Sequence, residues 1–484
     1  AAAAAYLERA VGLTVDRSQR TQRALDAAHF RHLAGAPEAA LALLQLAQAE
    51  PLDALQSARA ILLRGQVAFT INRGFEAPPL LLTAARQLWE LDEPLARETY
   101  RDALTASWYV ARFAEDSDSG PLAVARAVPP PGDRASDALL HAAARLVTDS
   151  PAVAVPVLRD ALERFRTAQM PADERLRWLF LACRSAHNIW DKRLWDDFSD
   201  EFLRLSREAG AYSVLPMAVS MCAATTLFAG DLNGAVSFRA EDEGLLEAGV
   251  TGIERPSYPG VFVSAWQGRE ADVRARVEGA DAQAEQVGEG QWLTLVHWAG
   301  ALLYNGLGRY EEALHEAELA IVSPVEHSIA GWALPELVEA AAHCGRPERA
   351  HAALERLAAI TSVSGADWGL GVEALARAQL SEGETAEQLF GEAIERLGAG
   401  GTAAVQAPAC STASGCGASG AGSMRASSCE RPSSSSRRWA RPGSRTAPRV
   451  SSRPPARPPA SARWSSTTRS RRRRCRSPGS PSRG

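Results

Sequence analysis

Glycines that recur at a nearly constant interval constrain this chain more than any other feature. Gly230, Gly268, Gly308, Gly345 and Gly383 are separated by 38, 40, 37 and 38 residues. Each stands between two stretches whose apolar residues are spaced three or four apart, which is the spacing of one buried helical face. A left-handed glycine ends the first helix of such a pair without a Cβ clash. The interval therefore predicts a helical hairpin around each glycine.

The stretch 301–320, ALLYNGLGRYEEALHEAELA, shows why one hairpin needs others. After Gly308 the residues Tyr310, Ala313 and Leu314 form an apolar stripe, and glutamates occupy the opposite side. A single hairpin cannot bury such a stripe, so similar hairpins must stack on both sides of it. A helix–turn–helix unit that recurs every 34 to about 45 residues is typical of an α-solenoid.

The first half of the chain carries weaker copies of the same signal. Gly35 and Gly74 are 39 residues apart. The gap between Gly74 and the later glycines holds four more periods, with turn signals near Asp116, Ser150 and Trp190. An irregular helical bundle with unrelated glycines is the alternative interpretation, and it explains the regular interval less well.

We predict an all-α fold, a TPR-like α-solenoid of about ten helical hairpins, over residues 1–398. Near its start, helices are expected at 16–34, at 37–49 and from Pro51 through Phe69, where proline is tolerated in the first turn. The stretch 128–133, VPPPGD, is expected to interrupt the array.

Residues 399–484 differ sharply in composition from the rest. They hold 17 arginines and one acidic residue, which leaves 36 basic and 56 acidic residues in 1–398 and a net charge of −20 there. Such an acidic body is a poor partner for nucleic acid. At face value, residues 399–484 form a disordered Arg/Ser/Pro-rich tail whose run Arg471–Arg474 could contact phosphates.

The tail also fits a frameshift. Codons for 411–419, STASGCGAS, can encode LYGEWLRRE when they are read one base earlier. The same shift turns 464–484 into VEFDDSVTPQEVQIARLASRG, and two segments between them also acquire helical patterns. We therefore expect the tail to be out of frame from a point near 398–410, through a genuine frameshift or a sequencing error.

Three stretches carry a family resemblance: 1–44, beginning AAAAAYLERAVGL, 77–104, APPLLLTAARQLWELDEPLARETYRDAL, and 383–398, GETAEQLFGEAIERLG. They resemble the helical-repeat region of the large ATP-binding LuxR-type, or MalT-like, transcriptional regulators. The shifted text VTPQEVQIARLASRG looks like the first helix of a LuxR-type helix-turn-helix domain. The resemblance implies an N-terminal ATPase, repeats that sense an inducer or partner, and a C-terminal domain that binds DNA.

The chain departs from that plan at both ends. It contains no GxxxxGK[ST] motif, and its one lysine, Lys192, lies in IWDKRLW rather than in a glycine-rich phosphate loop. The DNA-reading helix is also missing. Because the first residue is Ala rather than Met, we expect a segment of a longer product, with ATP bound only by a missing N-terminal domain and DNA only by a missing C-terminal one.

No residue is predicted to be catalytic, to bind a cofactor or to ligate a metal, so the chain is not expected to be an enzyme. Residues that carry chemistry elsewhere are interpreted as structural: His297, His315 and His343 on repeat helices, Cys183, Cys222 and Cys344 as core fillers, and the acid pairs 196–197 and 311–312 as solvated faces. Cysteine usage fits a reducing cytoplasm.

Trp178, Trp190 and Trp195 cluster around one predicted turn. Packing between successive repeats is one interpretation, and an aromatic patch that lines a ligand site on the concave face is the other. We expect a protein partner or a small-molecule inducer on that face, and no membrane, because no apolar run reaches the roughly 18–20 residues of a span. A free-standing repeat adaptor and nucleic-acid binding through the Arg-rich tail are the alternative functions.

Overall fold

The structure is a computed structural model that describes residues 2–72, 74–114, 117–249, 256–323, 326 and 328–406. These residues form 22 α-helices and one short 3-10 helix, and no strand occurs among them. The predicted all-α class is confirmed. Residues 407–484, and with them most of the predicted tail and its frameshift, lie outside the described part of the chain.

The helices follow one another with short connections. Their bounds are α1 Ala2–Leu13, α2 Arg17–Leu33, α3 Pro37–Gln48, α4 Ala54–Asn72, α5 Ala77–Leu88, α6 Glu93–Val110, the 3-10 helix Ala111–Phe113, α7 Pro121–Ala127, α8 Ala135–Thr148, α9 Pro151–Thr167, α10 Ala172–Asn188 and α11 Lys192–Ala209. The second half contains α12 Leu215–Phe228, α13 Leu232–Glu247, α14 Tyr258–Trp266, α15 Glu270–Glu278, α16 Ala280–Val287, α17 Gly290–Gly306, α18 Tyr310–Ala320, α19 Ile329–His343, α20 Pro347–Ser364, α21 Asp367–Gln379 and α22 Gly383–Ala399.

The helices are arranged as ten hairpins in two layers. The first helix of each hairpin contacts the first helix of the next, which produces an inner row of α2, α4, α6, α8, α10, α12, α14, α17, α19 and α21. The second helices form the outer layer, where α15 and α16 together take one place. The predicted α-solenoid of about ten hairpins is therefore confirmed in the described part of the chain.

All the turn glycines named above except Gly74 have the predicted left-handed conformation. Gly308 has a φ of 73°, and its N–H donates to the carbonyl of Asn305 at 2.9 Å. The N–H of Arg309 donates to the carbonyl of Tyr304, also at 2.9 Å. This pair of bonds satisfies the last carbonyls of α17 and turns the chain into α18. Glycines at 35, 230, 268, 345 and 383 also have positive φ.

Trp190 occupies the same turn position without being glycine. Its φ is 58°, its N–H donates to the carbonyl of His187 at 3.0 Å, and the Asp191 N–H donates to Ala186 at 3.1 Å. A left-handed conformation is unfavourable for a residue with a Cβ. Burial compensates, because the indole is only 3% exposed and its ring lies 4.7 Å from that of Trp368.

Helix starts were predicted less accurately than helix existence. Pro51 was expected in the first turn of a helix, but α4 begins at Ala54. The side chain of Asp53 accepts the N–H of Gln56 at 2.8 Å, and the Gln56 side chain accepts the N–H of Asp53 at 3.2 Å. This reciprocal cap fixes the helix start after Asp53. The predicted break at 128–133 lies between α7 and α8, as expected.

The end of the array continues slightly past the predicted boundary at residue 398. Thr402 is fully buried, and its hydroxyl donates to the carbonyl of Leu397 at 3.0 Å. The Gln406 side chain donates to the carbonyl of Ile394 at 3.0 Å. Residues 400–406 thus pack on α22.

A glycine-to-alanine pair tests the turn argument. An added Cβ meets nothing within 4 Å at either Gly308 or Gly391, but only Gly308 has a positive φ. We expect Gly308→Ala to lower the free energy of unfolding by about 1–2 kcal/mol, because alanine disfavours the left-handed region. Gly391→Ala, inside α22, should raise it by about 0.5–1 kcal/mol. Urea denaturation followed by circular dichroism measures both, and effects of equal sign would contradict the prediction.

Candidate ligand-binding cavity

The concave side of the array is largely filled by its own side chains in the second half. Arg184 of α10 donates to the Ser328 hydroxyl at 2.7 Å, and Arg159 of α9 donates to the Ser364 hydroxyl at 3.0 Å. The rings of Trp195 and Trp368 lie 5.6 Å apart. Early hairpins therefore contact late ones directly, and the surface between them is a core rather than an open groove.

The first half leaves a cavity of about 330 Å³, here called the inner cavity. That volume lies within the range of small-molecule sites. The inner cavity is bounded by α2, α4 and α6 on one side and by α10, α11 and α12 on the other. Its lining includes His29, His32, Leu62, Gln66, Phe69, Glu98, Arg101, Asp102, Thr105, Arg177, Phe180, Leu181, Phe202, Ser213, Val214 and Met217.

A polar wall lines the side formed by α2, α4 and α6. The Gln66 amide donates to Oδ2 of Asp102 at 2.8 Å, and Nε of Arg101 donates to Oδ1 of the same carboxylate at 2.8 Å. The guanidinium of Arg101 also lies 5.0 Å from the ring of Trp178. These contacts hold two adjacent helices of the inner row together and fix the direction of each polar side chain.

The opposite wall is apolar. Among the lining residues of α10, α11 and α12, every side chain except that of Arg177 is apolar. Phe180 and Phe202 form its centre, with ring centroids 6.2 Å apart. Leu181, 0% exposed, and Met217 extend the surface. A molecule in the inner cavity would thus contact hydrogen-bonding groups on one side and hydrocarbon on the other.

Four polar atoms of the lining have no hydrogen-bond partner: Nδ1 of His32, Oε1 of Gln66, Nη1 of Arg101 and Oγ of Ser213. His32, Arg101 and Ser213 are at most 8% exposed. A buried polar group without a partner costs about 1–3 kcal/mol, so native proteins pair nearly all of them. These four atoms are available to hydrogen-bond a ligand or ordered water in the inner cavity.

The two histidines of the lining are neutral near pH 7. The pKa of His32 is lowered to about 4, mainly by burial and also by the neighbouring His29, against an opposing effect of Asp102. Burial is also the main reason that the pKa of His29 is lowered. A neutral imidazole offers one donor and one acceptor, so His32 can serve a ligand in either role.

An ion pair marks the rim of the inner cavity. Nε of Arg177 lies 3.2 Å from the carboxylate of Glu98 and joins α10 to α6. The Arg177 side chain is 41% exposed, so it lies where the cavity meets solvent. Arg177 also pairs with Asp173 at 3.0 Å. An exposed ion pair of this kind adds little to the stability of the fold.

The predicted tryptophan cluster is divided by the structure. Trp178 packs behind the polar wall, and Trp190 and Trp195 belong to the core between early and late hairpins. None of the three lines the inner cavity. Trp195 does border a second cavity of about 30 Å³ beside His187, which has room for little more than water.

Two of the three histidines singled out in the sequence have structural partners, whereas His315 is exposed on α18. Nδ1 of His297 lies 2.7 Å from the Glu316 carboxylate, and His343 stacks on Tyr310 with ring centroids 3.9 Å apart. Cys183 and Cys222 are buried, as predicted, and Cys344 is half-buried. Burial raises the pKa of Cys222 to about 12. The described residues contain no group of three or more side chains arranged to hold a metal ion.

The sequence did not single out His32, Gln66, Arg101 or Ser213. Each is an ordinary polar residue in a helical or turn segment, and each lies at least 34 residues from the others. The available signal was weak: Arg101 and Thr105 are four residues apart, which is about one turn of a helix. Nothing in that pattern shows which side of the helix faces the inside of the array.

Comparisons with known proteins identify no family. No family model matches the chain, and no curated protein matches it. One solved structure with similarity to the chain is titled "Crystal Structure of Rap Protein Complexed with Competence and Sporulation Factor". It is 12% identical, the match covers 83% of this chain and 99% of that one, and the TM-score is 0.29. In the described part of the chain, no helix has the length and apolar character needed to span a membrane.

Proposed function

We propose that the helical array is the ligand-sensing region of a LuxR-type transcriptional regulator. The observation that carries the sensing role is the inner cavity with its four unpartnered polar atoms. The regulator context rests on the resemblance of 1–44, 77–104 and 383–398, and on the helix-turn-helix text recovered by the one-base shift. In this proposal, ATP hydrolysis and DNA binding belong to domains other than the helical repeats.

The position of the inner cavity suggests how a ligand would act. Its walls belong to three consecutive hairpins on one side and to α10–α12 on the other. A molecule that contacts both walls favours one relative placement of these hairpins over others. A ligand shifts such an equilibrium only by the difference in its affinity for the two placements. Contact with two separate parts of the array supplies that difference.

A protein-binding adaptor is the second candidate function. Large apolar side chains are exposed at the start of the array: Tyr6 is 76% exposed, Leu13 76% and Val15 93%. Clustered apolar exposure is a feature of protein-interaction surfaces. In this alternative α1 and the residues that follow it, rather than the inner cavity, contact the partner.

Cavity filling tests the sensing role. Leu62→Trp should extend an indole into the inner cavity, whereas Leu46→Trp adds the same group on α3, where Leu46 is 49% exposed. We expect a thermal-shift screen of small amphipathic molecules to yield compounds that raise the Tm of the full chain and of Leu46→Trp, but not of Leu62→Trp. Compounds that stabilise all three proteins equally, or none at all, would contradict ligand sensing in the inner cavity.

Sequencing the DNA that flanks the reading frame tests the regulator context separately. We expect codons for a GxxxxGK[ST] loop upstream and, after a one-base correction near codons 398–410, an in-frame helix-turn-helix downstream. A complete gene without either feature would favour the adaptor.

A further inference from the structure

We propose that the inner cavity selects an uncharged amphipathic molecule with an amide-like head group and an apolar body. This inference rests on the proposed function, because it names the class of ligand that the sensing cavity binds. It is carried by the division of the cavity into a polar and an apolar wall and by the pairing of every arginine in its lining.

The free hydrogen-bonding atoms include both donors and acceptors. Nη1 of Arg101 can only donate, and Oε1 of Gln66 can only accept. Both side chains hydrogen-bond to the carboxylate of Asp102, so the two free atoms belong to one network. An amide head offers a carbonyl to the first and an N–H to the second. The Ser213 hydroxyl and His32 can supply or accept a further bond.

Existing charges in the cavity are already matched. Arg101 pairs with Asp102, Arg59 pairs with Asp26 at 3.1 Å, and Arg177 pairs with Glu98. The polar wall therefore offers neither a free counter-ion for a carboxylate nor a free carboxylate for an ammonium. Burying an ion without a partner costs far more than burying a hydrogen-bonded neutral group. An uncharged head is favoured for this reason.

The apolar wall determines the rest of the ligand. Phe180, Leu181, Phe202, Val214 and Met217 present hydrocarbon and aromatic surface opposite the polar network. An alkyl or aryl body on that wall gains roughly 25 cal/mol for each Å² removed from water. A fully polar ligand, such as a free sugar, would leave this wall without a matching surface and its own groups without partners.

Three probes with the same alkyl chain test the head group. Octanamide, octanoate and octylammonium are titrated into the full chain at pH 7.5 by isothermal titration calorimetry. We expect octanamide to bind at least about tenfold more tightly than either ion, a difference of about 1.4 kcal/mol. The Leu62→Trp variant should lose octanamide binding.

A serine pair separates a ligand contact from a structural effect. Ser213 and Ser206 are both buried with an unpartnered hydroxyl, but only Ser213 lines the inner cavity. Ser213→Ala should weaken octanamide binding about fivefold without lowering the Tm, since it removes an unpaired group. Ser206→Ala should leave the affinity unchanged.

The possible failures are distinct. Tighter binding of octanoate than of octanamide, abolished by Leu62→Trp, overturns the neutral head group but supports a ligand site in the cavity. Octanamide binding that survives Leu62→Trp places the molecule elsewhere and overturns the inference. Failure of all three probes to bind up to millimolar concentration also overturns it, whereas the sensing role itself is decided by the thermal-shift screen.

Discussion

Replacement of Trp195 by alanine should lower the free energy of unfolding by about 3–5 kcal/mol, the cost of removing a large aromatic side chain from a core. The side chain is 0% exposed. Its ring lies 4.7 Å from that of His187 and 5.8 Å from that of Trp332. Few neighbouring atoms can move into the space, because the surrounding residues are themselves rigid rings.

The effect should be large because Trp195 joins distant parts of the chain. It lies on α11, whereas Trp332 lies on α19 and Trp368 on α21. In most of the array a helix contacts only its neighbours, so the loss of one side chain stays local. At this position the loss also weakens the contact between early and late hairpins. Unfolding of the variant should therefore become less cooperative as well as easier.

Trp89→Ala is the matched control. Trp89 is half-buried at the end of α5 and contacts Tyr100, with ring centroids 6.5 Å apart, and Arg97. Urea denaturation followed by far-ultraviolet circular dichroism should show that Trp89→Ala loses less than half of the free energy of unfolding that Trp195→Ala loses. Equal losses in the two variants would show that the contact between early and late hairpins adds little.

Replacement of Glu326 by glutamine should stabilise the protein at alkaline pH. Glu326 is 7% exposed, and the Thr294 hydroxyl donates to its carboxylate at 2.7 Å. Burial raises the pKa of Glu326 to about 7, against the opposing effect of Thr294, Arg112 and Arg184. Glutamine keeps an oxygen for Thr294 and carries no charge to bury.

The direction of the pH dependence follows from proton binding. An unfolded glutamate ionises near pH 4.5, whereas Glu326 in the folded protein keeps its proton to about pH 7. Between these values the folded state binds more protons than the unfolded state, so rising pH lowers the stability. Well above pH 7, ionisation of the buried Glu326 lowers the free energy of unfolding by about 3 kcal/mol in total. The free energy of unfolding of Glu326→Gln, relative to that of the wild type, should therefore increase by up to about 3 kcal/mol between pH 4.5 and pH 8.

Urea midpoints at pH 4.5 and pH 8 measure this difference. Glu318→Gln is the control, because Glu318 is 39% exposed and pairs with Arg349 on the surface. Glu318→Gln should change the free energy of unfolding by less than about 1 kcal/mol at both pH values. A Glu326→Gln variant that is less stable than the wild type at pH 8 would show that the buried carboxylate is ionised and stabilised by the nearby arginines.

The hairpins were predictable because their signals are local. A left-handed glycine, such as Gly308, and an apolar stripe within the next helix specify one hairpin from about 20 adjacent residues. The turn at Trp190 was found from a weaker signal, and its left-handed conformation was not predicted. The indole of Trp190 packs against Trp368, whose ring is 4.7 Å away in space but 178 residues away in sequence.

The sequence by itself determined that this chain is an array of about ten helical hairpins with an acidic body and no recognisable catalytic motif. Only the tertiary structure decided where the array has room for a ligand. The curvature of a solenoid is the sum of small rotations between neighbouring hairpins, and no short pattern encodes that sum. That curvature closes the concave side around Trp195 and leaves the inner cavity beside Arg101. The inner cavity brings together polar side chains that are far apart in the sequence.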